Sequence, residues 1–124
     1  MTDIKEITKE NFDTDVLQSQ DLVLIYFYAS WCKQCAKAND VLKKATNEVE
    51  GQALVVKVDT DQEAAIVIQQ KVTTIPFFQI LKDGKVIDSL RGVPSPLELM
   101  GMLSSAISEH SDAESPDESK ETKA

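Results

Sequence analysis

The chain has 124 residues, 42% hydrophobic and 27% charged, with a formal net charge of −8. That length suits one globular domain, and the acidic balance argues against nucleic acid or an anionic membrane surface as partner, because both are met by a basic face. The two cysteines, Cys32 and Cys35, exclude a disulfide-stapled secreted scaffold, and with a lone His110 they fall short of the four ligands of a closed zinc site.

The opening Met1-Thr2-Asp3-Ile4-Lys5-Glu6 is polar and lacks the apolar core of a signal peptide, which points to a cytoplasmic protein. Residues 4–7 alternate apolar and polar, as a strand does. Thr8 is placed to cap a helix through about Leu17, with Phe12, Val16 and Leu17 on one face. Residues 22–28 (Leu-Val-Leu-Ile-Tyr-Phe-Tyr) form a continuous β-branched and aromatic run. That is the pattern of a central strand covered on both faces, and the run is far too short to span a bilayer. From Gln34 to about Val49, Ala38, Val41, Leu42, Ala45 and Val49 recur at helical spacing until Gly51 ends the helix. Residues 53–58 are a second buried strand. Thr60-Asp61-Gln62-Glu63 has the capping-box pattern and opens a helix carrying Ala64, Ala65, Val67 and Ile68.

Pro76 precedes a strand over residues 77–81. Asp83-Gly84 signals a hairpin, with residues 86–90 returning as the antiparallel partner. Ser95-Pro96-Leu97-Glu98 joins a second capping box to a proline at the first helical position. It starts a last helix that presents Leu97, Leu99, Met100, Leu103 and Ile107. The order βαβαβαββα predicts an α/β domain over residues 1–107, a mixed central sheet with helices on both faces. Residues 108–124 hold six acids and two lysines, a net −4, equal to that of residues 1–107 with 15 acids and 11 bases. With no aromatic and no aliphatic larger than alanine, this segment reads as a disordered acidic tail. Its serines Ser111, Ser115 and Ser119 leave a phosphorylatable partner-binding role open beside that of an inert terminus.

One motif carries chemistry: Trp31-Cys32-Lys33-Gln34-Cys35. It lies where a buried strand gives way to a helix. Cys32 therefore sits at a helix N-terminus, whose unpaired N–H groups and dipole favour a thiolate, and Lys33 adds a cation beside it. Cys35 is one helical turn on, within disulfide reach. Cys32 reads as the exposed nucleophile and Cys35 as the buried thiol that resolves the mixed disulfide. Half of a metal site shared between chains and a pair of packing cysteines are the competing readings.

The chain resembles the thioredoxin family over residues 4–107. The resemblance rests on the ordered set Phe12-Asp13-Thr14-Asp15-Val16-Leu17, Ala29-Ser30-Trp31-Cys32-x-x-Cys35, Lys57-Val58-Asp59, Thr74-Ile75-Pro76-Phe77, Lys82-Asp83-Gly84-Lys85 and Arg91-Gly92-Val93. It implies a three-layer α/β/α thioredoxin fold with a five-stranded mixed sheet. It also implies a protein-disulfide reductase that binds no cofactor, draws electrons from a thioredoxin-reductase-type partner, acts on disulfide-containing proteins and works as a monomer. Pro76 would be cis and lie against the cysteine pair. Trp31, Thr74, Ile75, Pro76, Gly92 and Val93 would form an apolar substrate surface, and Lys57 would stand near the thiols.

Three departures stand out. Lys33-Gln34 replaces the usual Gly-Pro, which adds a cation and an N–H donor near the sulfur and predicts a more oxidising couple. Tyr26 stands where the family has a buried aspartate that exchanges protons with the second cysteine; a phenol with an ordinary pKa of about 10 is no substitute base. Asp40 replaces a helix-bending proline and predicts a straighter helix. A non-catalytic adaptor or chaperone using the surface around Trp31, Ile75 and Val93 is the alternative function.

Overall fold

The computed structural model describes residues 4–110. Its elements follow the expected order: β1 (Lys5–Glu6), a π-helical turn (Asp13–Leu17), β2 (Val23–Tyr28), α1 (Lys33–Glu48), β3 (Leu54–Asp59), α2 (Ala64–Gln69), β4 (Phe77–Lys82), β5 (Lys85–Arg91) and α3 (Pro96–His110). The five strands make one mixed sheet in the order β1-β3-β2-β4-β5. β1, β3 and β2 run parallel, while β4 and β5 complete the sheet as an antiparallel hairpin. β2 is the central strand and is buried from Val23 to Phe27, with Tyr28 half-buried at its end, as its unbroken apolar run requires.

Alternation along β2 divides the core into two layers. Leu22, Leu24 and Tyr26 face α1 and α3, where Ala38, Leu42, Ala45, Leu99, Leu103 and Ala106 close over them together with Phe78 and Ile80 of β4. Val23, Ile25 and Phe27 face the other way, onto Phe12 just before the π-helical turn, Val16 within it, Ile66 of α2 and Val56, Val58 and Leu81 of the sheet. The helices thus lie on both faces of the sheet. α1 runs unbroken through Asp40, where the sequence lacks a bending proline.

Three local expectations are corrected. The helix read from Thr8 begins only at Asp13. The Thr8 carbonyl does accept the N–H groups of Asn11 and Phe12, and the Thr8 N–H donates to Asn11 Oδ1 at 2.8 Å, so Thr8 opens a bonded entry turn and only the regular element starts later. The five residues that follow are wound as a π-turn, with Gln18 N–H reaching back to the Asp13 carbonyl at 2.9 Å. At α2 the capping box does not form, for reasons described below. In α3, Leu97 is 86% exposed whereas Leu99 and Leu103 are fully buried, because a residue two positions away points to the opposite side of the helix.

The second capping box does form. Ser95 Oγ accepts the Glu98 N–H at 3.1 Å, and Glu98 Oε1 accepts the Ser95 N–H at 3.4 Å. The β4–β5 turn has positive φ at both Asp83 (53°) and Gly84 (79°), the backbone of a two-residue hairpin. A Cβ at Gly84 would lie 2.8 Å from the Leu17 carbonyl oxygen, so both conformation and space demand glycine there. α3 continues through His110, and the rest of the segment read as an acidic tail, residues 111–124, lies outside the described residues.

Candidate active site

The site is built where β2 ends and α1 begins. Cys32 is the last residue before α1, with extended backbone (φ −82°, ψ 111°), and its Sγ accepts the Cys35 N–H at 3.2 Å. A sulfur therefore does what a serine or aspartate oxygen does at an ordinary helix start. Negative charge on this sulfur is favoured by the same N–H and by the helix dipole. The Cys32 N–H donates to the Ala29 carbonyl at 3.2 Å, which closes the loop after β2. Cys35 sits in the first turn of α1, facing the core, and is 2% exposed; Cys32 is half-buried. The two form a disulfide with a Cα–Cα separation of 5.3 Å, inside the usual range for such bridges. Lys33 and Gln34, between them, are exposed.

Beneath the pair lies Tyr26. Its side chain is fully buried, and its hydroxyl donates to the Cys35 carbonyl at 2.9 Å. Its ring stacks on Tyr28 (centroids 5.5 Å apart) and on Phe78 (5.1 Å). Burial pushes the Tyr26 phenol up to about 12. Tyr28 is raised further, first by burial and then by Glu6, whose carboxylate accepts the Tyr28 hydroxyl at 2.9 and 3.1 Å. Lys57 pairs in register with Tyr26 but sends its half-buried amine toward Glu6, 3.8 Å away, and over the Tyr28 ring at 5.7 Å. The cation expected near the thiols thus has its carboxylate partner on β1.

The rim is formed by the loops at this end of the sheet. Trp31 is 68% exposed, and its indole N–H donates to Asp61 Oδ2 at 2.7 Å. Trp31, Thr74 and Ile75 share a depression of about 200 Å³ with Thr60, Val67, Val72 and Thr73. The Ile75–Pro76 bond is cis. Pro76 is buried, and its carbonyl accepts the Gly92 N–H at 2.9 Å, which ties the loop after β5 to the proline loop. Val93 follows with its side chain partly exposed.

Sequence reasoning missed Asp61, Thr60, Glu6 and Tyr28. Thr60 and Glu63 form no capping box because the N–H groups it would use are bonded elsewhere, Glu63 N–H to the Asp59 carbonyl at 3.0 Å and Thr60 N–H to the Tyr28 carbonyl at 2.8 Å, and the side chains make other ties. Thr60 Oγ1 donates to the Tyr28 carbonyl at 3.0 Å, and Glu63 Oε1 accepts the Lys9 N–H at 3.0 Å. Asp61, in the same stretch, holds the indole. What read as a helix signal is a set of tertiary ties at the edge of the site.

A dithiol at a strand–helix junction, with a cis-proline loop in the same domain, is the arrangement of a redox protein, and residues 3–105 match the family model described as Thioredoxin. The chain belongs to the thioredoxin family. Among its relatives, a thioredoxin of Chlorobaculum thiosulfatiphilum is 34% identical over 105 residues, covering 85% of this chain and 94% of that protein. Thioredoxin C-2 of Corynebacterium nephridii is 32% identical, with 84% and 96% covered, and a Mycolicibacterium smegmatis thioredoxin is 34% identical, with 82% and 92% covered. Thioredoxins are thiol–disulfide oxidoreductases that act on disulfide substrates, are reduced by thioredoxin reductase and work without a bound cofactor. The Cys32–Cys35 pair gives this thioredoxin the dithiol that the activity needs. Among the described residues, no group of three or more His, Cys, Asp or Glu is placed to hold a metal ion, and no helix is long and apolar enough to cross a membrane.

Proposed function

We propose that this thioredoxin reduces disulfides in protein substrates, with Cys32 as the nucleophile and Cys35 as the resolving thiol. The observation that carries the assignment is the contrast between the two sulfurs. Cys32 is reachable and its Sγ already accepts a helix N–H, whereas Cys35 is 2% exposed. In the first step the Cys32 thiolate attacks one substrate sulfur, a mixed disulfide forms, and the other substrate sulfur leaves as a thiolate. In the second step Cys35 attacks Cys32 Sγ, its proton goes to a departing substrate thiolate, and the Cys32–Cys35 bond forms. The dithiol loses two electrons and the substrate disulfide gains them.

Electrons return from a thioredoxin-reductase-type donor, and the protein works as a cytoplasmic monomer. Residues 1–107 are assigned the chemistry and the acidic residues after α3 none of it. Trp31, Thr74, Ile75, Pro76, Gly92 and Val93 receive the substrate chain; the exposed Trp31 and the depression beside it support that role. Lys33 and the restored N–H of Gln34 favour the thiolate, so the couple is more oxidising than one with Gly-Pro between the cysteines. Lys57 tunes the site through Glu6 and Tyr28 rather than by contact with sulfur.

Dithiothreitol-coupled insulin reduction tests the assignment. Wild type should turn over. Cys35→Ser should lose turnover by at least about a hundredfold and trap insulin as a mixed disulfide on Cys32. Cys32→Ser should show neither turnover nor trapping. The same exposed surface also suits an adaptor that binds polypeptides without turnover. Insulin binding by wild type, with no reduction above the dithiothreitol background, would establish that reading instead.

A further inference from the structure

The floor of the site holds a group that the two-thiol reaction does not use. We propose that Tyr26 is a positioning residue for the resolving step: its hydroxyl, donated to the Cys35 carbonyl, holds the first turn of α1 so that Cys35 stays aimed at Cys32. The proposal rests on the dithiol reaction described above.

The geometry leaves the phenol little freedom. Its ring is fully buried between Tyr28 and Phe78, and its hydroxyl is 2.9 Å from the Cys35 carbonyl oxygen. Tyr28 is itself anchored by Glu6, and Glu6 by Lys57. A continuous chain of contacts therefore runs from the edge of the parallel sheet to the backbone of the resolving cysteine. The carbonyl of a helical residue already accepts a hydrogen bond along the helix, so the phenol is a second, lateral tether on the same oxygen. That oxygen belongs to the residue whose sulfur must travel to Cys32.

The chemistry of Tyr26 follows from its surroundings. α1 presents Cys35, Ala38 and Leu42 to this part of the core, α3 presents Leu99 and Leu103, and β4 presents Phe78. The carboxylates on this side, Glu6 and Asp59, act on Tyr28, whereas burial alone raises Tyr26. Tyr26 thus stays protonated and donating throughout the neutral range. It takes no proton from Cys35; in the resolving step that proton passes to the departing substrate thiolate, as the Cys32–substrate bond breaks and the Cys32–Cys35 bond forms.

Tyr26→Phe keeps the ring and its stacking and removes the tether alone. Two measurements on this variant test the proposal. In rapid-quench reduction of insulin between pH 6 and 9, the mixed disulfide should resolve about tenfold more slowly at every pH, the loss of one hydrogen bond, while its formation by Cys32 changes less than twofold. The pH profile should keep its shape. In equilibrium with glutathione, the share of protein held as a Cys32–glutathione mixed disulfide rather than as the Cys32–Cys35 disulfide should rise by a similar factor. This second readout needs no insulin turnover, so a wild type that fails to reduce insulin overturns the proposed function without touching the positioning role. An unchanged resolving rate and an unchanged glutathione equilibrium in Tyr26→Phe overturn the inference. So does a profile that changes slope, since Tyr26 would then be moving the proton itself.

Discussion

The rim and the floor of the site are built on opposite terms. At the rim, Trp31, Lys33 and Gln34 are exposed and Cys32 is half-buried; the contacts are single hydrogen bonds at the water's edge. At the floor, Tyr26, Cys35 and Phe78 are buried in one cluster, and the one polar side-chain group among them, the phenol, is paired. Disulfide exchange needs both arrangements. The attacking sulfur must meet a foreign protein, and the resolving sulfur must meet nothing but its partner. Substitutions at the rim should therefore alter potential and substrate affinity at little cost in stability, whereas those at the floor should cost stability first.

The largest effect is expected from Tyr26→Asp. The change removes a ring packed between Tyr28 and Phe78, leaves a cavity and puts an ionisable group in its place. A loss of about 3 kcal/mol or more is expected in urea unfolding. Burial raises a carboxyl above its unfolded value of about 3.9, so between the two values the folded state holds more protons than the unfolded one. Stability then falls as pH rises through that interval, and the deficit should be larger at pH 8 than at pH 5. An equal deficit at both would mean that the new carboxylate draws Lys57 away from Glu6, and the floor would be more adaptable than its packing indicates.

A middle-sized effect belongs to the rim. Replacing Lys33-Gln34 by Gly-Pro removes the exposed cation and one of the unpaired N–H donors of the first helical turn. Both favour the thiolate, hence the reduced form, so their loss should lower the reduction potential by about 30–60 mV, a tenfold to hundredfold shift in the equilibrium with glutathione. Stability of the reduced protein should change by less than about 1 kcal/mol. A potential that does not move would place control of the couple in the floor.

How much of this was legible in the sequence follows the same division. The order of the elements, the central strand and the cysteine pair at its end were readable because each is written in contiguous residues: the apolar run at residues 22–28, the helical spacing of Ala38, Leu42 and Ala45, the Cys32–Cys35 interval. Ser95-x-x-Glu98 capped its helix, each residue's side chain accepting the other's N–H. Thr60-x-x-Glu63 has the same pattern and failed, since the Asp59 and Tyr28 carbonyls take the two N–H groups that the box would use. Tyr26 was recognisable as a departure from the family, but its bond to a backbone carbonyl was not, because no sequence pattern encodes which atom a buried hydroxyl meets. Glu6 escaped for a like reason: β1 brings it beside Tyr28 only through parallel pairing with β3.

Asp61 is the sharpest case, and it supplies the smallest predicted effect. Its carboxylate accepts the Trp31 indole N–H at 2.7 Å across 30 residues of chain. Asp61→Asn keeps an acceptor and removes the charge, which weakens a charge-assisted bond to an ordinary one. Because the pair is exposed, stability should change by no more than about 0.5 kcal/mol. Trp31 is the chain's one tryptophan, so its emission maximum reads this contact directly and should shift. A looser indole presents the proposed substrate surface less firmly, so KM for insulin should rise about twofold to threefold with kcat unchanged, the signature of lost uniform binding. A fall in kcat with KM unchanged would mean that Asp61 acts on the thiols and not on the surface, and the contact at the indole would then bear on the attack by Cys32 as well as on binding.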